Sequence, residues 1–189
     1  MGMEIIESLC KICPISELSK QEFLSIIIEN NYSKGHSLLN LWETDKYFHY
    51  IVKGSGRVYY LRNGLDITDY FAMDGQFLGG IESLFTRKPS HKAIELTEDS
   101  TVQSFLYSDF EELCNKYHDI EKLGRKMAIF AFLEGQKRIE SIRFLSAAER
   151  YHELEKKYPG ISNRIQLKHI ASYLGTTQVS ISRIRKGIQ

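Results

Sequence analysis

The sequence predicts a mixed α+β fold in three consecutive parts: an antiparallel β-roll of the jelly-roll kind, one long helix, and a C-terminal helix-turn-helix. Between His36 and Tyr107 the chain reads as short β-rich segments broken by glycine turns. From Asp119 to about Phe144 apolar residues recur at spacings of three and four. Beyond Leu167 two short apolar stripes flank one glycine, Gly175. The three parts run 1–117 with flanking helices, 118–144 and 145–189.

The strand segments are "HSLLNLWE", "YFHYIVKG", "GRVYYLRNG", "DITDYFAMDG", "KAIELTED" and "TVQSFLYS", with turns at Gly54, Gly56, Asn63-Gly64 and Asp74-Gly75. Alternation in "VQSFLY" and the lack of intervening helical patterns exclude a parallel α/β sheet. "SDFEELCNKY" then reads as a helix that Ser108 could cap. In the long helix, Ile120, Leu123, Met127 and Phe130 form a seam. That seam suits a twin helix, or the helix's own β-roll. "KKYPGISN" reads as a loop.

In "RIQLKHIASYLG", Leu167, Ile170, Ala171 and Leu174 make one apolar stripe, and Gly175 suits the left-handed residue that ends the helix. Thr176 or Thr177 can cap a second helix, striped by Ile181, Ile184 and Ile188. That helix turns Gln178, Val179, Ser182, Arg183 and Lys186 away from its core. Arginine can grip guanine and glutamine adenine through paired hydrogen bonds, which makes Arg183 and Gln178 candidates for base reading. Thr177, Ser180, Arg185, Lys186 and, on the first helix, Lys168 suit phosphates.

Charge points the same way. The formal net charge of +1 divides into +7 for residues 137–189, with 11 basic residues against 4 acidic, and −6 for residues 1–136. Beyond Glu155 lie Lys156, Lys157, Arg164, Lys168, Arg183, Arg185 and Lys186, with no acidic residue among them. Such a segment fits double-stranded DNA, or is a solvated basic surface. At 42% hydrophobic, the 189 residues can bury a sizeable core. No apolar run is long enough to span a membrane, and "MGMEIIESLC" lacks the order of a signal peptide, so a cytoplasmic protein is expected.

A glycine-punctuated β-roll, a long helix and a terminal helix-turn-helix together resemble the Crp/Fnr family of bacterial transcription regulators. The most specific stretches are "YIVKGSGRVYYL", "DGQFLGGIESLF", which looks like that family's phosphate cassette, and "IASYLGTTQVSISRIRK". The resemblance implies a homodimer paired along the long helix, a palindromic operator, contact with RNA polymerase, a small effector in a cyclic-nucleotide-binding-like roll, and base contact by Arg183. Val179 stands where the family pattern has an acidic residue, which implies a different DNA preference. The chain ends after the second helix, so the two-stranded wing of a winged-helix-like domain is expected to be missing.

By the same resemblance the effector residues are Gly79, Gly80, Glu82, His91 and Lys92. Glycine amides can approach a phosphate closely, and a buried anion also needs a countercharge. Gly80 replaces the glutamate that would hold a ribose, and His91-Lys92 replaces an Arg-Ser pair. Lysine lacks the guanidinium fork, so the effector is not expected to be cyclic AMP. His91 and Lys92 also fit ordinary exposed loop residues.

Cys10 and Cys13 form a C-x2-C, but with Cys114 only three thiols exist where an iron-sulfur cluster takes four. Free thiols, no metal and no cofactor are expected, with a redox response of the pair as the other reading. His36, His49 and His91 give no haem-ligand pattern. The competing classes are a cupin-like small-molecule-binding protein or enzyme and a dimeric scaffold without DNA binding. No H-x-H followed by Glu, P-loop or G-x-S-x-G is present, and no catalytic residue is assigned.

Overall fold

The structure, a computed structural model, describes residues 3–187. Two helices, α1 (Met3–Ile12) and α2 (Glu17–Ser25), precede the roll. The roll comprises β1 (Ile28–Tyr32), β2 (Ser37–Leu39), β3 (Tyr47–Lys53), β4 (Gly56–Arg62), β5 (Leu65–Ala72), β6 (Gln76–Leu78), the short helix α3 (Ile81–Thr86), β7 (Lys92–Leu96) and β8 (Ser100–Leu106). Helix α4 (Tyr107–Lys116) leads into α5 (His118–Phe144). The chain closes with α6 (Ala147–Lys157), α7 (Ile161–Arg164), α8 (Leu167–Tyr173) and α9 (Gln178–Arg185).

Two antiparallel sheets, ordered β1-β8-β3-β6 and β2-β7-β4-β5, face each other across Leu39, Ile51, Val58, Ala72, Leu78, Ile94, Leu96 and Val102. Strand β3 is buried on both faces for a reason. Ile51 points between the sheets, whereas Phe48, Tyr50 and Val52 point outward to a helical layer of Ile5, Leu9, Phe23, Phe110, Ile120 and Leu123. Asn63 and Gly64 both take positive φ, 53° and 74°, in a two-residue hairpin with Arg62 opposite Leu65.

A third core joins the C-terminal helices to the roll. Phe71 and Met73, at the end of β5, are buried with Tyr151, Leu154, Ile161, Ile165, Ile170, Leu174 and Ile181. Helix α8 lies on β5, and the Ser172 hydroxyl accepts the Thr68 amide at 3.0 Å. A capping box of Ser146 and Glu149 starts α6.

Four sequence expectations are corrected. "HSLLNLWE" is extended only over Ser37–Leu39, because Trp42 takes a left-handed φ of 68° and ends the run. Ser108 is not a cap: α4 begins one residue earlier, and the Ser108 hydroxyl donates to Asp109. "KKYPGISN" is a loop only over residues 158–160: Lys156 and Lys157 end α6, and Ile161–Arg164 turn helically. The seam of α5 divides: Ile120, Leu123 and Met127 pack on the chain's own helical layer, and Phe130 is exposed. Ile188 lies outside the described residues. Among the described residues no helix is long and apolar enough to cross a membrane.

Candidate functional site

The helix-turn-helix forms as its spacing requires. Ile170, Ala171 and Leu174 of α8 are buried, and Gly175 takes φ 64° so that the chain can reverse. The Thr177 hydroxyl accepts the Ser180 amide at 3.1 Å and caps α9, whose Ile181 is fully buried. The opposite face of α9 carries Gln178, Val179, Arg183, Arg185 and Lys186, all exposed, with Ser180 and Ser182 half-buried beside them. Thr177 and Ser180 also share a hydroxyl contact of 3.0 Å.

Ion pairs revise the reading of an uncompensated basic segment. Arg164 binds Asp74 and Glu98 of the roll, Lys157 binds Glu134 of α5, and Lys156 lies 3.9 Å from Glu153. These carboxylates are remote in sequence or precede the counted stretch, so a tally along the chain misses them. Lys168, Arg183, Arg185 and Lys186 make no ion pair among the described residues. The unneutralised charge therefore concentrates on α9 and the adjoining start of α8.

His169 of α8 is buried against the roll, where Arg57 binds Asp66 and Glu95. Burial, and then the Arg57 guanidinium and Lys168, push His169 down to about 4 against the pull of Asp66 and Glu95.

The cassette residues are only partly brought together. Gly79 and Gly80 lie between β6 and α3. Glu82 and His91 are a surface pair 3.7 Å apart, both side chains more than half exposed. Lys92 is not a loop residue: it opens β7, and its ammonium meets Asp69 at 2.7 Å.

Three further side chains decide the chemistry of this region. The buried Asp45 carboxylate accepts the Gly80 amide at 2.7 Å and the Tyr47 amide at 3.1 Å, while the Asp45 amide donates to Ser83 Oγ at 3.0 Å. The Tyr70 hydroxyl donates to the Gly79 carbonyl at 2.9 Å and accepts the Gly79 amide at 3.0 Å. Burial raises Tyr70 far above the usual phenol range, so this hydroxyl stays neutral. Asp69 holds both Lys92 and Arg138 of α5, the latter at 3.0 Å. No local periodicity marks Asp45 or Asp69; the only sequence signal is an acidic residue just before, or within, an apolar strand.

Nearby, His49 is buried between the sheets with Nδ1 2.8 Å from Ser104 Oγ and Nε2 without a partner among the described residues. Burial pushes it down to about 4 against the pull of Asp45. Cys10, Cys13 and Cys114 are free thiols, and burial pushes Cys114 up to about 11. Among the described residues no group of three or more His, Cys, Asp or Glu is placed to hold a metal ion.

Residues 29–117 match the family described as "Cyclic nucleotide-binding domain". The structure is similar to FixK2 from Bradyrhizobium japonicum, with a TM-score of 0.71 at 22% identity over 86% of this chain and 84% of that one. It is similar to the c-di-GMP responsive global regulator CLP of Xanthomonas campestris, with a TM-score of 0.70 at 12% identity over 92% of each chain. A crp/fnr family protein from Eubacterium rectale gives a TM-score of 0.68 at 18% identity, over 93% of this chain and 84% of that one. No curated protein sequence matches the chain at a significant level.

Proposed function

Given that this chain carries a cyclic nucleotide-binding domain over residues 29–117 and has the fold of the Crp/Fnr regulators, we propose that it is a dimeric, sequence-specific DNA-binding regulator of transcription. The observation that carries this reading is the face of α9. It presents Gln178, Arg183, Arg185 and Lys186 to solvent without ion pairs, while the other cations beyond Glu155, Lys168 apart, are neutralised. Arg183 and Gln178 read bases, and Val179, 62% exposed, offers an apolar contact suited to a thymine methyl. Lys168, Thr177, Ser180, Ser182, Arg185 and Lys186 position the helix on phosphates.

The second copy packs along α5. Ile129, Phe132, Leu133 and Ile139 are each about half exposed or more and recur at helical spacing C-terminal to Ile120, Leu123 and Met127, the residues of α5 that pack on the chain's own helical layer. Two copies joined there present two α9 helices to successive major grooves, about 34 Å apart, and so read a palindrome. Such a regulator works in the cytoplasm.

Selection of bound duplexes from a random DNA pool, with wild type and Arg183→Ala in parallel, tests the reading. The expected result is an inverted repeat whose definition at one position per half-site is lost in the variant, at about 1–3 kcal/mol. Equal weakening on every sequence would make Arg183 a phosphate contact. Failure to enrich any sequence would overturn the regulator reading.

A further inference from the structure

A cyclic nucleotide presents a phosphate monoanion, and an anion taken into a protein requires hydrogen-bond donors together with a countercharge. In this roll both are already engaged by the chain's own side chains. Asp45 lies over the opening of α3 with one oxygen on the Gly80 amide and the other on the Tyr47 amide. It also fills the space that the glycine leaves: a Cβ on Gly80 would sit 2.9 Å from Asp45 Oδ2. The amide of Gly79 is taken by the Tyr70 hydroxyl. Lys92, the cation with a role in the resemblance, is paired with Asp69, which it shares with Arg138.

We propose that Asp45 is an internal anion standing in for the charge of a ligand, so that the protein binds its DNA without a nucleotide effector. This rests on the DNA-binding reading above. Unlike a diffusible ligand, a side chain carries no association entropy and cannot leave. The set state reaches the DNA-binding helices through a chain of side-chain contacts. Asp69 couples β5 and β7 to Arg138 of α5, and the Arg138 guanidinium lies 4.9 Å from the ring centroid of Tyr173 on α8. Tyr173 in turn packs on Phe71 of β5, with ring centroids 5.2 Å apart.

The test uses the full chain and the duplex recovered by selection, followed by fluorescence anisotropy. Wild type is expected to bind equally with and without cyclic AMP, cyclic GMP or cyclic di-GMP. Asp45→Ala strips the partner from the buried Gly80 amide and the half-buried Tyr47 amide, and is expected to bind the duplex about tenfold more weakly, within the range of ordinary coupling between sites. Acetate, exchanged for chloride at constant ionic strength, should restore that affinity in Asp45→Ala and leave wild type unchanged. Asp45→Asn keeps the shape without the charge and should be weakened but not rescued. It keeps the test open if the alanine variant does not fold.

A nucleotide that tightens wild-type binding severalfold would overturn the proposal, as would folded Asp45→Ala binding as tightly as wild type. If wild type selects no DNA, only the regulator reading fails. Acetate raising the melting temperature of Asp45→Ala alone then still supports the internal anion, and calorimetric nucleotide binding by wild type, or no such rescue, overturns it.

Discussion

Arg164 grips Glu98 across the junction of the two domains, with Nε at 3.0 Å and Nη2 at 2.5 Å from the same carboxylate oxygen. Its other terminal nitrogen meets Asp74 at 2.6 Å, and Nη2 also donates to the Gly54 carbonyl at 2.9 Å. One guanidinium thus joins α7 to three separate turns of the roll. The two carboxylates hold Arg164 above the usual guanidinium range despite its partial burial.

Replacing Arg164 with Ala should therefore cost about 1–2 kcal/mol, above the usual value of a surface pair because several charge-assisted bonds share one residue. The loss should shrink in high salt, since the network is partly exposed. Urea unfolding at low and high salt checks both. An unchanged midpoint at low salt would mean that the apolar contact alone joins the domains.

That apolar contact has its own test. Phe71 belongs to β5 yet is buried among the C-terminal helices. Phe71→Ala should cost about 3–5 kcal/mol, as for other buried phenylalanines. Because the lost contacts lie between domains, calorimetry should show one transition in wild type and two in the variant. A single, merely shifted transition would place the effect within the roll.

This junction also shows where the sequence is legible. Ile170, Ala171, Leu174 and Gly175 announce the helix-turn-helix because helix periodicity and a glycine stop are local properties. The main strands β3, β4, β5, β7 and β8 are legible from β-rich runs and turn residues. By contrast β1, "IENNY", and β6, "QFL", carry no alternation and are fixed by pairing with β8 and β3. The destination of Phe71, the partners of Arg164 and the placement of Asp45 over Gly80 all depend on long-range packing. No pattern within a window of the chain encodes them.

Helix α5 supplies a prediction about assembly. Phe132 is 63% exposed, on a stripe with Ile129, Leu133 and Ile139, which are each about half exposed. Phe132→Asp places a charge where the second copy packs, a burial that costs several kcal/mol unless the charge is paired. Dimer affinity should fall at least about 100-fold, and palindrome binding with it. Sedimentation at micromolar concentration reads the change. A wild type that sediments as a monomer would remove the pairing from the proposed function.

Trp42 is 72% exposed yet held at φ 68°, a conformation that a side chain with Cβ pays for. Its amide donates to the Ser90 carbonyl at 2.7 Å, which keeps the turn in place whatever the side chain. Trp42→Gly should leave the fold intact and raise stability by about 1 kcal/mol or less, the strain relieved being offset by glycine's greater freedom when unfolded. Marked destabilisation would show that the indole makes a contact of its own in solution.

Acid should loosen the molecule in a defined window. His49 and His169 are both held near 4 against an ordinary value of 6.5, by burial first and, for His169, by Arg57 next. Between pH 6.5 and 4 the unfolded chain therefore binds protons that the native state refuses, and stability falls as pH falls. Above pH 6.5 both states hold neutral imidazoles and this dependence disappears. Carboxylates such as Asp74, held low by Arg164 and the Gly54 amide against the effect of burial, lose their contribution at lower pH, as they are protonated. Each histidine accounts for about 3 kcal/mol, the drop from 6.5 to about 4 at 1.36 kcal/mol per pH unit. His169→Gln should remove one share of the slope between pH 7 and pH 5, because its neutral amide needs no proton excluded. Urea midpoints at the two pH values decide it: a variant as acid-sensitive as wild type would mean that His169 is free to charge, and that α8 does not stay packed against Arg57 in solution.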